Sequence, residues 1–443
     1  MEEIIIKAGQ LLLSLSILVI MHELGHYVPA RLFKTRVEKF YLFFDPWFSI
    51  FKKKVGDTEY GVGWLPLGGY VKISGMIDES MDKEQMKKPP QPWEFRSKPA
   101  WQRLIIMLGG VTVNVILAFV IYSFSLVIWG EKYLPSEKAT YGIHCDSLAL
   151  SAGFQNGDII YSIDGSKVER FARENGSLHS EMIQKLILDD AKLITVVRDG
   201  RRVDIPFTEQ IKDAIVLAKT PLFSPNIPFV INAFAEGSVM EKAGAQVGDK
   251  IIKINDKPMG FAGDVIAYTP LLKGDSATVV VDRNGQEKVF DIFLEEGVMG
   301  VQFKPFSSLY ELENEQYNAL NVLPAAVKKT QSEIANYLKQ FKLIKKSPES
   351  VGGFISIGSI FPPVWNWQRF WSLTAFLSIM LAVLNLLPIP ALDGGHVMFL
   401  LYEVVTRRKP NEKVMEYAQT LGVILLLGLV LYANGNDIIK LLS

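Results

Sequence analysis

The sequence is short of cysteine and of net charge, and it lacks a basic amino terminus. Cys145 is its one cysteine, so no internal disulfide can form. Basic and acidic residues number 47 each, so the charge balance does not predict a polyanionic partner such as nucleic acid. Glu2 and Glu3 stand where a cleavable signal would carry basic residues, and no small-residue cleavage site follows. The first apolar run is therefore predicted to be a retained membrane helix.

Long apolar runs are abundant. With 49% hydrophobic residues and a mean hydropathy of +0.19, the 443-residue chain is predicted to be a membrane protein. Four runs, at about 4–28, 101–130, 371–392 and 417–434, are long enough to span a bilayer, and Pro29 is expected to end the first. Basic residues concentrate in 31–103 and 407–413. The positive-inside rule places both segments in the cytoplasm, and the termini and the region 131–367 outside.

The strongest motif lies within the first run, where residues 21–26 read Met-His-Glu-Leu-Gly-His. On a helix His22 and His26 lie about one turn apart on one face, so both imidazoles can bind one cation with Glu23 beside them. This H-E-x-x-H spacing is a zinc signature. The alternative is a pair of buried histidines with structural hydrogen bonds, although ionisable groups in an apolar segment are costly unless they face a site.

A catalytic zinc usually has three protein ligands and an open position, so a third ligand must come from elsewhere. Asp393 follows the third apolar run and is expected at the same membrane depth as His26. It is preferred over His396 because a carboxylate partly neutralises the metal in a low-dielectric setting. A helix cap is the alternative role for Asp393.

Residues near these candidates have the features of a substrate site. Pro388 and Pro390 prevent a regular helix before Asp393 and leave carbonyl groups free to meet substrate or a ligand. Asn385 is expected either to stabilise an oxyanion, to hold unwound substrate, or only to pack. Asn114, in the second run, has two open roles: a hydrogen bond near the metal, or an ordinary contact between helices.

Residues 59–76 are too apolar for a solvated loop and too rich in glycine for a helix, so they predict a β-hairpin that dips toward the membrane. Irregular backbone at membrane depth is tolerated only against protein or a wet cavity, and the hairpin is therefore expected to line the site. Gly68 and Gly69 would allow another backbone to approach closely. A surface hairpin is the alternative.

The region between the second and third runs has a soluble composition and contains an internal repeat. Residues 147–168 and 238–259 align in register, each with a small-residue helical turn, a Gly-Asp pair (Gly157-Asp158, Gly248-Asp249) and an alternating strand. These repeats resemble tandem PDZ domains, whose fold binds an extended peptide at a sheet edge. Neither has a clear Gly-Leu-Gly-Phe carboxylate-binding loop. Peptide capture and a steric filter both remain open.

Taken in order, these motifs resemble the bacterial site-2 proteases of the regulator-of-sigma-E type. The features that carry the resemblance are H-E-x-x-H in the first span, the hairpin, the repeat, and N-x-x-P-x-P-x-L-D-G-G-H at 385–396. The resemblance implies that His22, His26 and Asp393 bind Zn²⁺, that Glu23 is the general base and that Asn385 assists substrate. It further implies that a strand of substrate pairs with Gly68, Gly69, Tyr70, Val71 and Lys72. The family often has Gly-Pro where Gly109-Gly110 and Gly352-Gly353 stand, which is a departure.

The predicted fold is a multi-span α-helical membrane protein with four transmembrane helices, a membrane-associated β-hairpin and two inserted α/β PDZ domains. The expected divisions are 1–130 and 368–443 for the membrane core, 131–222 and 223–305 for the PDZ domains, and 306–367 for a linker with an amphipathic helix. The active site would face the cytoplasmic side of the bacterial inner membrane, and the PDZ domains the periplasm.

The predicted function is zinc-dependent intramembrane endopeptidase. Its substrate would be a single-span membrane protein, an anti-sigma factor or a remnant signal peptide, that a site-1 protease has already trimmed. One alternative is another membrane metalloprotease with H-E-x-x-H, which should carry a glutamate ligand and no repeat. The other is an inactive scaffold that gathers partners through its PDZ domains, although the retained Glu23 argues against it.

Overall fold

The computed structural model describes residues 2–76, 89–174, 176–179, 182, 184–218, 222–346 and 352–442. The chain divides into two compact units. One combines Met1–Gly130 with Gln316–Ser443 and contains the apolar helices, and the other is Glu131–Glu315. This division follows the composition of the sequence, because the apolar runs gather in one unit and the repeat forms the other.

Six long helices occur in the described residues of the first unit: α1 (Glu2–Leu32), α2 (Ala100–Trp129), α3 (Val322–Lys346), α4 (Trp367–Leu386), α5 (Asp393–Thr406) and α6 (Glu412–Leu442). Of these, α1, α2, α4 and α6 are the four that are long and apolar enough to cross a membrane. The bounds differ from the prediction at two ends. Pro29 lies inside the last turn of α1 instead of ending it, and α4 stops at Leu386 instead of continuing to 392. Short helical segments occur at Phe95–Ser97 and Phe354–Ser359.

Glycines let α1 and α2 approach until their backbones touch. A Cβ atom on Gly25 would lie 2.6 Å from the carbonyl carbon of Gly109 and 2.7 Å from the Cα of Gly110. Polar pairs join α4 to the same helices: the Thr374 and Ser14 hydroxyls are 3.0 Å apart, and the Ser378 hydroxyl donates to a backbone carbonyl of α2 at 2.8 Å. This packing holds the part of α1 that carries the histidines between α2 and α4.

A four-stranded sheet lies between α1 and α2 in sequence, with strands β1 (Val37–Leu42), β2 (Phe44–Val55), β3 (Thr58–Leu65) and β4 (Tyr70–Ile73) in the order β2-β3-β1-β4. The hairpin predicted within 59–76 is wrong, because β1 lies between β3 and β4 and pairs with both. The prediction treated the residues of β1 as part of a basic loop. In the structure Val37 and Tyr41 of β1 are buried. β1 lies between β3 and β4, so these two strands cannot pair with each other as a hairpin.

Within the described residues, β4 is an edge strand that pairs with β1 alone. Gly69 precedes it and packs against both α1 and the sheet. A Cβ atom at this position would lie 2.5 Å from Cγ1 of Val19 and 2.6 Å from the carbonyl oxygen of Tyr41. The predicted need for close approach at Gly69 is confirmed, and it brings the start of β4 to the face of α1 that carries Glu23.

The chain between α4 and α5 is not helical, as the prolines predict. Pro388 and Pro390 lie in this break, and Ala391 has a left-handed φ of 82°. The break folds back on the first turn of α5: a Cβ atom on Gly394 would lie 2.6 Å from the carbonyl carbon of Leu386, and one on Gly395 2.7 Å from the carbonyl oxygen of Ile389. The Gly-Gly pair after Asp393 is therefore required by backbone contact.

The second unit contains fifteen described strands and two hydrophobic cores. The strands are β5 (Glu131–Pro135), β6 (Ile143–Cys145), β7 (Ile159–Ile163), β8 (Ser166–Lys167), β9 (Arg170–Arg173), β10 (Leu193–Arg198), β11 (Arg201–Pro206), β12 (Phe223–Pro225), β13 (Ile231–Phe234), β14 (Lys250–Ile254), β15 (Lys257–Pro258), β16 (Asp275–Arg283), β17 (Gln286–Leu294), β18 (Val301–Phe303) and β19 (Glu313–Glu315). Short helical segments occur at Ser136–Lys138, Ser147–Ser151, Gln184–Leu188, Glu209–Ala218, Val239–Lys242, Ala262–Tyr268, Thr269–Leu272 and Phe306–Leu309.

The sequence repeat is a structural repeat. One four-stranded sheet has the order β11-β10-β7-β8, and the other has the matching order β17-β16-β14-β15. The aspartate of each Gly-Asp pair is buried and binds the same partners: Asp158 and Asp249 each accept a backbone N–H at 2.8 Å and a two-pronged hydrogen bond from Arg198 or Arg283. The Gly-Asp pairs thus mark a turn that an arginine fixes.

The two cores do not divide where the sequence predicts. β12 pairs with β6 and Phe223 packs in the first core, so 223–225 lie with the first repeat instead of the second. Phe306 and Tyr310 also pack in the first core, and β19 pairs with β5. The residues after the second repeat therefore return to the first, and the chain from 306 to 315 is part of the second unit instead of a linker.

Candidate metal centre

Three donor atoms from two elements converge in the first unit. His22 and His26 lie on one face of α1, and Asp393 is the first residue of α5. Oδ2 of Asp393 is 3.3 Å from Nε2 of His22 and 3.3 Å from Nε2 of His26, and the two Nε2 atoms are 3.3 Å apart. The donors form an equilateral triangle. Among the described residues, His22, His26 and Asp393 form the one group of three histidine, cysteine or acidic side chains whose donor atoms lie close enough together to bind a single ion.

The triangle has the dimensions that zinc requires. Tetrahedral zinc with bonds of about 2.0–2.1 Å separates its ligand atoms by about 3.3–3.4 Å. Oδ2 of Asp393 is buried and accepts no hydrogen bond, which would be costly in a site without a cation. The chemistry of the donors, two imidazoles and one carboxylate, is also that of a catalytic zinc site, which keeps its fourth position open. The residues present therefore fit this metal.

Each histidine has a second polar contact. Nδ1 of His26 lies 2.8 Å from the backbone carbonyl oxygen of Ile106, which can only accept, so Nδ1 carries the proton and Nε2 has a free lone pair. Nδ1 of His22 lies 3.2 Å from the carboxamide of Asn114, a fully buried residue on α2. The Oδ1 atom of that carboxamide has no hydrogen bond in the described structure. Rotating the group by 180° would present Oδ1 to Nδ1 without changing its shape.

Asn385 lies at the same histidine. Its Nδ2 is 3.2 Å from Nε2 of His22, so the carboxamide borders the position where the donors converge. The other residues predicted around it behave differently. Pro388 and Pro390 shape the break before α5, and Ala391 and Leu392 are the residues of this segment that line the neighbouring cavity.

This cavity has a volume of about 380 Å³ and includes all three donor residues together with Glu23. One wall consists of β4 and the residue before it, and another includes His396 and Gln419. Glu23 is buried on α1 and faces the cavity beside Gly69, where a Cβ atom would lie 3.6 Å from Cγ of Glu23. A carboxylate, three donor atoms and a strand at the edge of its sheet thus meet at one cavity.

Four of the five predicted strand residues, namely Gly69, Tyr70, Val71 and Lys72, line the cavity, while Gly68 packs against the ring of Phe44. The side chain of Tyr70 is engaged within the sheet, since its hydroxyl donates to Asp45 at 2.8 Å and its ring stacks on Tyr41. Burial and the Asp45 carboxylate raise the pKa of Tyr70. The group that β4 offers to the cavity is therefore its backbone edge.

Sequence reasoning missed Gln419, and it considered His396 only as a metal ligand. His396 lines the cavity but lies outside the three-donor group. Gln419 is 5% exposed and lies in the apolar α6. An isolated polar residue within a predicted membrane span indicates a functional site, and this pattern could have identified Gln419 from the sequence.

Comparison with known proteins gives the same reading over nearly the whole chain. The model of peptidase family M50 matches residues 10–429. A protein of Neisseria meningitidis that is named a zinc metalloprotease is 30% identical over 97% of this chain and 98% of its own length. The regulator of sigma E protease of Haemophilus influenzae is 28% identical over 98% of both chains, and a zinc metalloprotease by name from Thermotoga maritima is 28% identical over 98% of this chain and 99% of its own.

Proposed function

Because the chain belongs to peptidase family M50 and is a metalloendopeptidase, we propose that it hydrolyses peptide bonds within membrane-spanning segments, using zinc bound by His22, His26 and Asp393. The observation that carries this proposal is the triangle of donor atoms with 3.3 Å edges beside Glu23. Two of its donors belong to α1, which is itself apolar enough to span a membrane. A peptide bond that is cleaved at these residues must therefore be brought to the depth of α1 in the membrane.

Zinc, when bound, acts as a Lewis acid on the scissile carbonyl and lowers the pKa of water to about 7. The other steps belong to side chains of this chain. Glu23 accepts the proton of the attacking water as general base and returns it to the leaving amine as general acid. Its position in the cavity lining, beside the three donor residues, places the carboxylate where it can hold that proton between water and substrate. Asn385, beside His22, donates a hydrogen bond to the oxygen on which negative charge develops.

The substrate segment must be extended when it is cleaved, because the peptide bonds of a helix are shielded by their own hydrogen bonds. The edge of β4 that no described strand pairs with offers replacement partners to an unwound chain by adding it as a strand. Gly69 to Lys72 line the cavity that contains Glu23, which supports this role for β4. Substrates with helix-breaking residues near the cleavage position are expected to react faster.

The proposed substrates are single-span membrane proteins, either an anti-sigma factor or a remnant signal peptide, after a site-1 protease has removed the external domain. The name of the Haemophilus relative, regulator of sigma E protease, supports an anti-sigma factor. The proposed location is the bacterial inner membrane, with the site toward the cytoplasm. The basic residues of 31–103 and 407–413 support this orientation.

The repeat in the second unit is proposed to be a pair of PDZ domains outside the membrane. Its two matching four-stranded sheets and the two Asp–Arg pairs support a tandem arrangement of one fold. As a filter it would exclude substrates with a bulky external domain, which would explain a requirement for prior trimming. Deleting the repeat would then permit cleavage of untrimmed substrate.

The decisive experiment compares the wild type with Glu23→Gln, and with Glu3→Gln as a control on the exposed first turn of the same helix. Purified proteins are reconstituted in vesicles with a single-span substrate, and both cleavage and zinc content are measured. We expect Glu23→Gln to retain zinc and to lose cleavage by at least about 1,000-fold, with Glu3→Gln unchanged. Unchanged cleavage in Glu23→Gln with zinc still bound would refute the proposed mechanism.

A further inference from the structure

Gln419 is a buried polar residue at the cavity with Glu23, and the proposed mechanism gives it no role. It lies on α6, where only 11% of the most apolar stretch is buried, compared with 44% for α4. Most side chains of α6 around it are exposed, including Leu421 at 66%, whereas Gln419 is 5% exposed. The helix therefore contacts the rest of the unit at few points, and Gln419 is one of them.

A neighbouring glycine explains how Gln419 reaches the site. Gly422 lies one turn further along the same face of α6, and a Cβ atom there would lie 3.0 Å from Cβ of Pro390 and closer still to its backbone carbonyl group. This contact presses α6 against the break that precedes Asp393. The face of α6 that carries Gln419 is thereby held at the cavity that contains the metal donors.

Gln419, although buried, lines two cavities. One is the cavity with Glu23 and β4, and the other, of about 170 Å³, is lined by the charged residues Arg103, Glu403 and Lys409 as well as by apolar side chains. A carboxamide buried without a partner is disfavoured by about 10- to 100-fold in equilibrium terms. An isolated polar group within a membrane span generally faces a functional site. A ligand in the cavity that hydrogen-bonds the carboxamide of Gln419 fits both the burial and the position of this residue.

The chemistry of such a ligand follows from β4. A strand added to the edge of β4 turns alternate N–H and C=O groups toward that edge, and the groups between them point away from it. At membrane depth the outward groups need protein partners in place of bulk water. A glutamine carboxamide has one donor group and one acceptor, which matches the peptide group itself.

We propose that Gln419 hydrogen-bonds the backbone of the extended substrate on the edge that faces away from β4. This inference rests on the proposed function, because it requires a peptide strand in the cavity. The substrate strand is then held from two walls, by β4 through its backbone and by α6 through one side chain. The contact recognises no particular sequence, only extended peptide, so it selects for segments that can unwind.

Gln419→Met tests this role, since methionine has a similar length and shape but no hydrogen-bonding group. Thr420→Val is the matched control, because Thr420 is the exposed neighbour whose hydroxyl bonds only within the helix, to Glu416. Full-length proteins are reconstituted in phosphatidylethanolamine–phosphatidylglycerol vesicles with a single-span substrate. We expect kcat/KM to fall about 10- to 100-fold in Gln419→Met, mainly through KM, while zinc content and Thr420→Val remain as in the wild type.

A series of substrates that each carry one backbone ester in place of an amide separates a substrate contact from a structural effect. In the wild type, esters at positions that pair with β4 and at the position that pairs with Gln419 should each reduce cleavage about tenfold. In Gln419→Met the ester at the position that pairs with Gln419 should no longer reduce cleavage, while the esters at positions that pair with β4 should still do so. Identical ester profiles in the two proteins would overturn the proposal, as would wild-type kcat/KM in Gln419→Met.

Glu23→Gln in the same assay keeps this inference distinct from the proposed function. If Glu23→Gln cleaves as the wild type does, the proposed function fails and the role of Gln419 fails with it. If Glu23→Gln is inactive while Gln419→Met has unchanged kinetics and an unchanged ester profile, only the role of Gln419 fails.

Discussion

Oδ2 of Asp393 lies 3.3 Å from Nε2 of His22, although the two residues stand near opposite ends of the chain. The histidine belongs to a helix that is fixed by glycine contacts with α2, and the aspartate begins a helix whose first turn is fixed by the proline break before it. Neither half of the site can bind zinc tightly alone, because two histidines leave the metal short of ligands. In the proposed function, zinc bound by these three residues would therefore also join the two ends of the first unit.

Asn114 is predicted to orient His22 for metal binding. With Oδ1 turned toward Nδ1 of His22, the carboxamide fixes the proton on that nitrogen and leaves Nε2 free for zinc. Asn114→Leu should lower zinc affinity about 10- to 100-fold, measured by competition with a chelator. Asn114→Asp keeps an acceptor at this position and should retain most of the affinity. Equal losses in both variants would show that Asn114 only packs.

Gly110 is predicted to be essential for the metal site because it makes room for both imidazoles. A Cβ atom there would lie 2.6 Å from Cε1 of His22 and nearer still to Nε2 of His26. Gly110→Ala should therefore displace the rings and abolish zinc binding, as measured by metal content after dialysis. Gly428→Ala is the control, since this helical glycine has open space around it and the change should stabilise α6 by up to about 1 kcal/mol. Full zinc content in Gly110→Ala would contradict the geometry.

Gly69 is predicted to matter for substrate and not for metal. A Cβ atom there would press on Val19 and on the backbone of β1, which would move the start of β4 away from α1. Gly69→Ala should lower kcat/KM about 10-fold or more with zinc content unchanged, since a displacement of about 1 Å at a positioned site costs that much. Cleavage kinetics and metal analysis on one preparation test both parts. A loss of zinc in Gly69→Ala would mean that β4 supports the metal site instead.

Asp249 is predicted to stabilise the second repeat through its pair with Arg283. The hydrogen bonds from Arg283 hold the pKa of Asp249 below its usual value, so the folded state favours the carboxylate. The stabilisation is therefore fully present above the unfolded pKa of about 3.9 and is lost as the pH falls through the lower folded value. Asp249→Asn should destabilise this repeat by about 2–3 kcal/mol at neutral pH. Hydrogen exchange in β14 and β16 measures the effect, which should shrink below pH 4.

Residue spacing and position were enough to predict that His22, His26 and Asp393 come together. H-E-x-x-H places two histidines on one helical face, and the prolines before Asp393 interrupt the helix where the prediction places the break. The sheet could not be predicted in the same way, because the pairing of β3 with β1 and of β1 with β4 depends on burial of Val37 and Tyr41 and not on order along the chain. The exact end of α1 also escaped prediction, since its last turn accommodates Pro29.

Gln419 shows a different limit. A single polar residue in an apolar run indicates a functional site, but the sequence does not say which face of α6 is buried. That face is set by the backbone contact between Gly422 and Pro390, two residues without any shared sequence motif. Similarly, the return of Phe306 and Tyr310 to the first core depends on packing between residues far apart in the sequence.

The central claim is that zinc is held jointly by α1 and by the first residue of α5, and metal content tests it most directly. Asp393→Ala and His396→Ala are purified in parallel with the wild type, and bound zinc is measured after dialysis against a weak chelator. His396 lines the same cavity but lies outside the donor triangle. We predict that the wild type and His396→Ala retain one zinc per chain and that Asp393→Ala retains almost none. Full zinc occupancy in Asp393→Ala, or its loss in His396→Ala alone, would contradict the account.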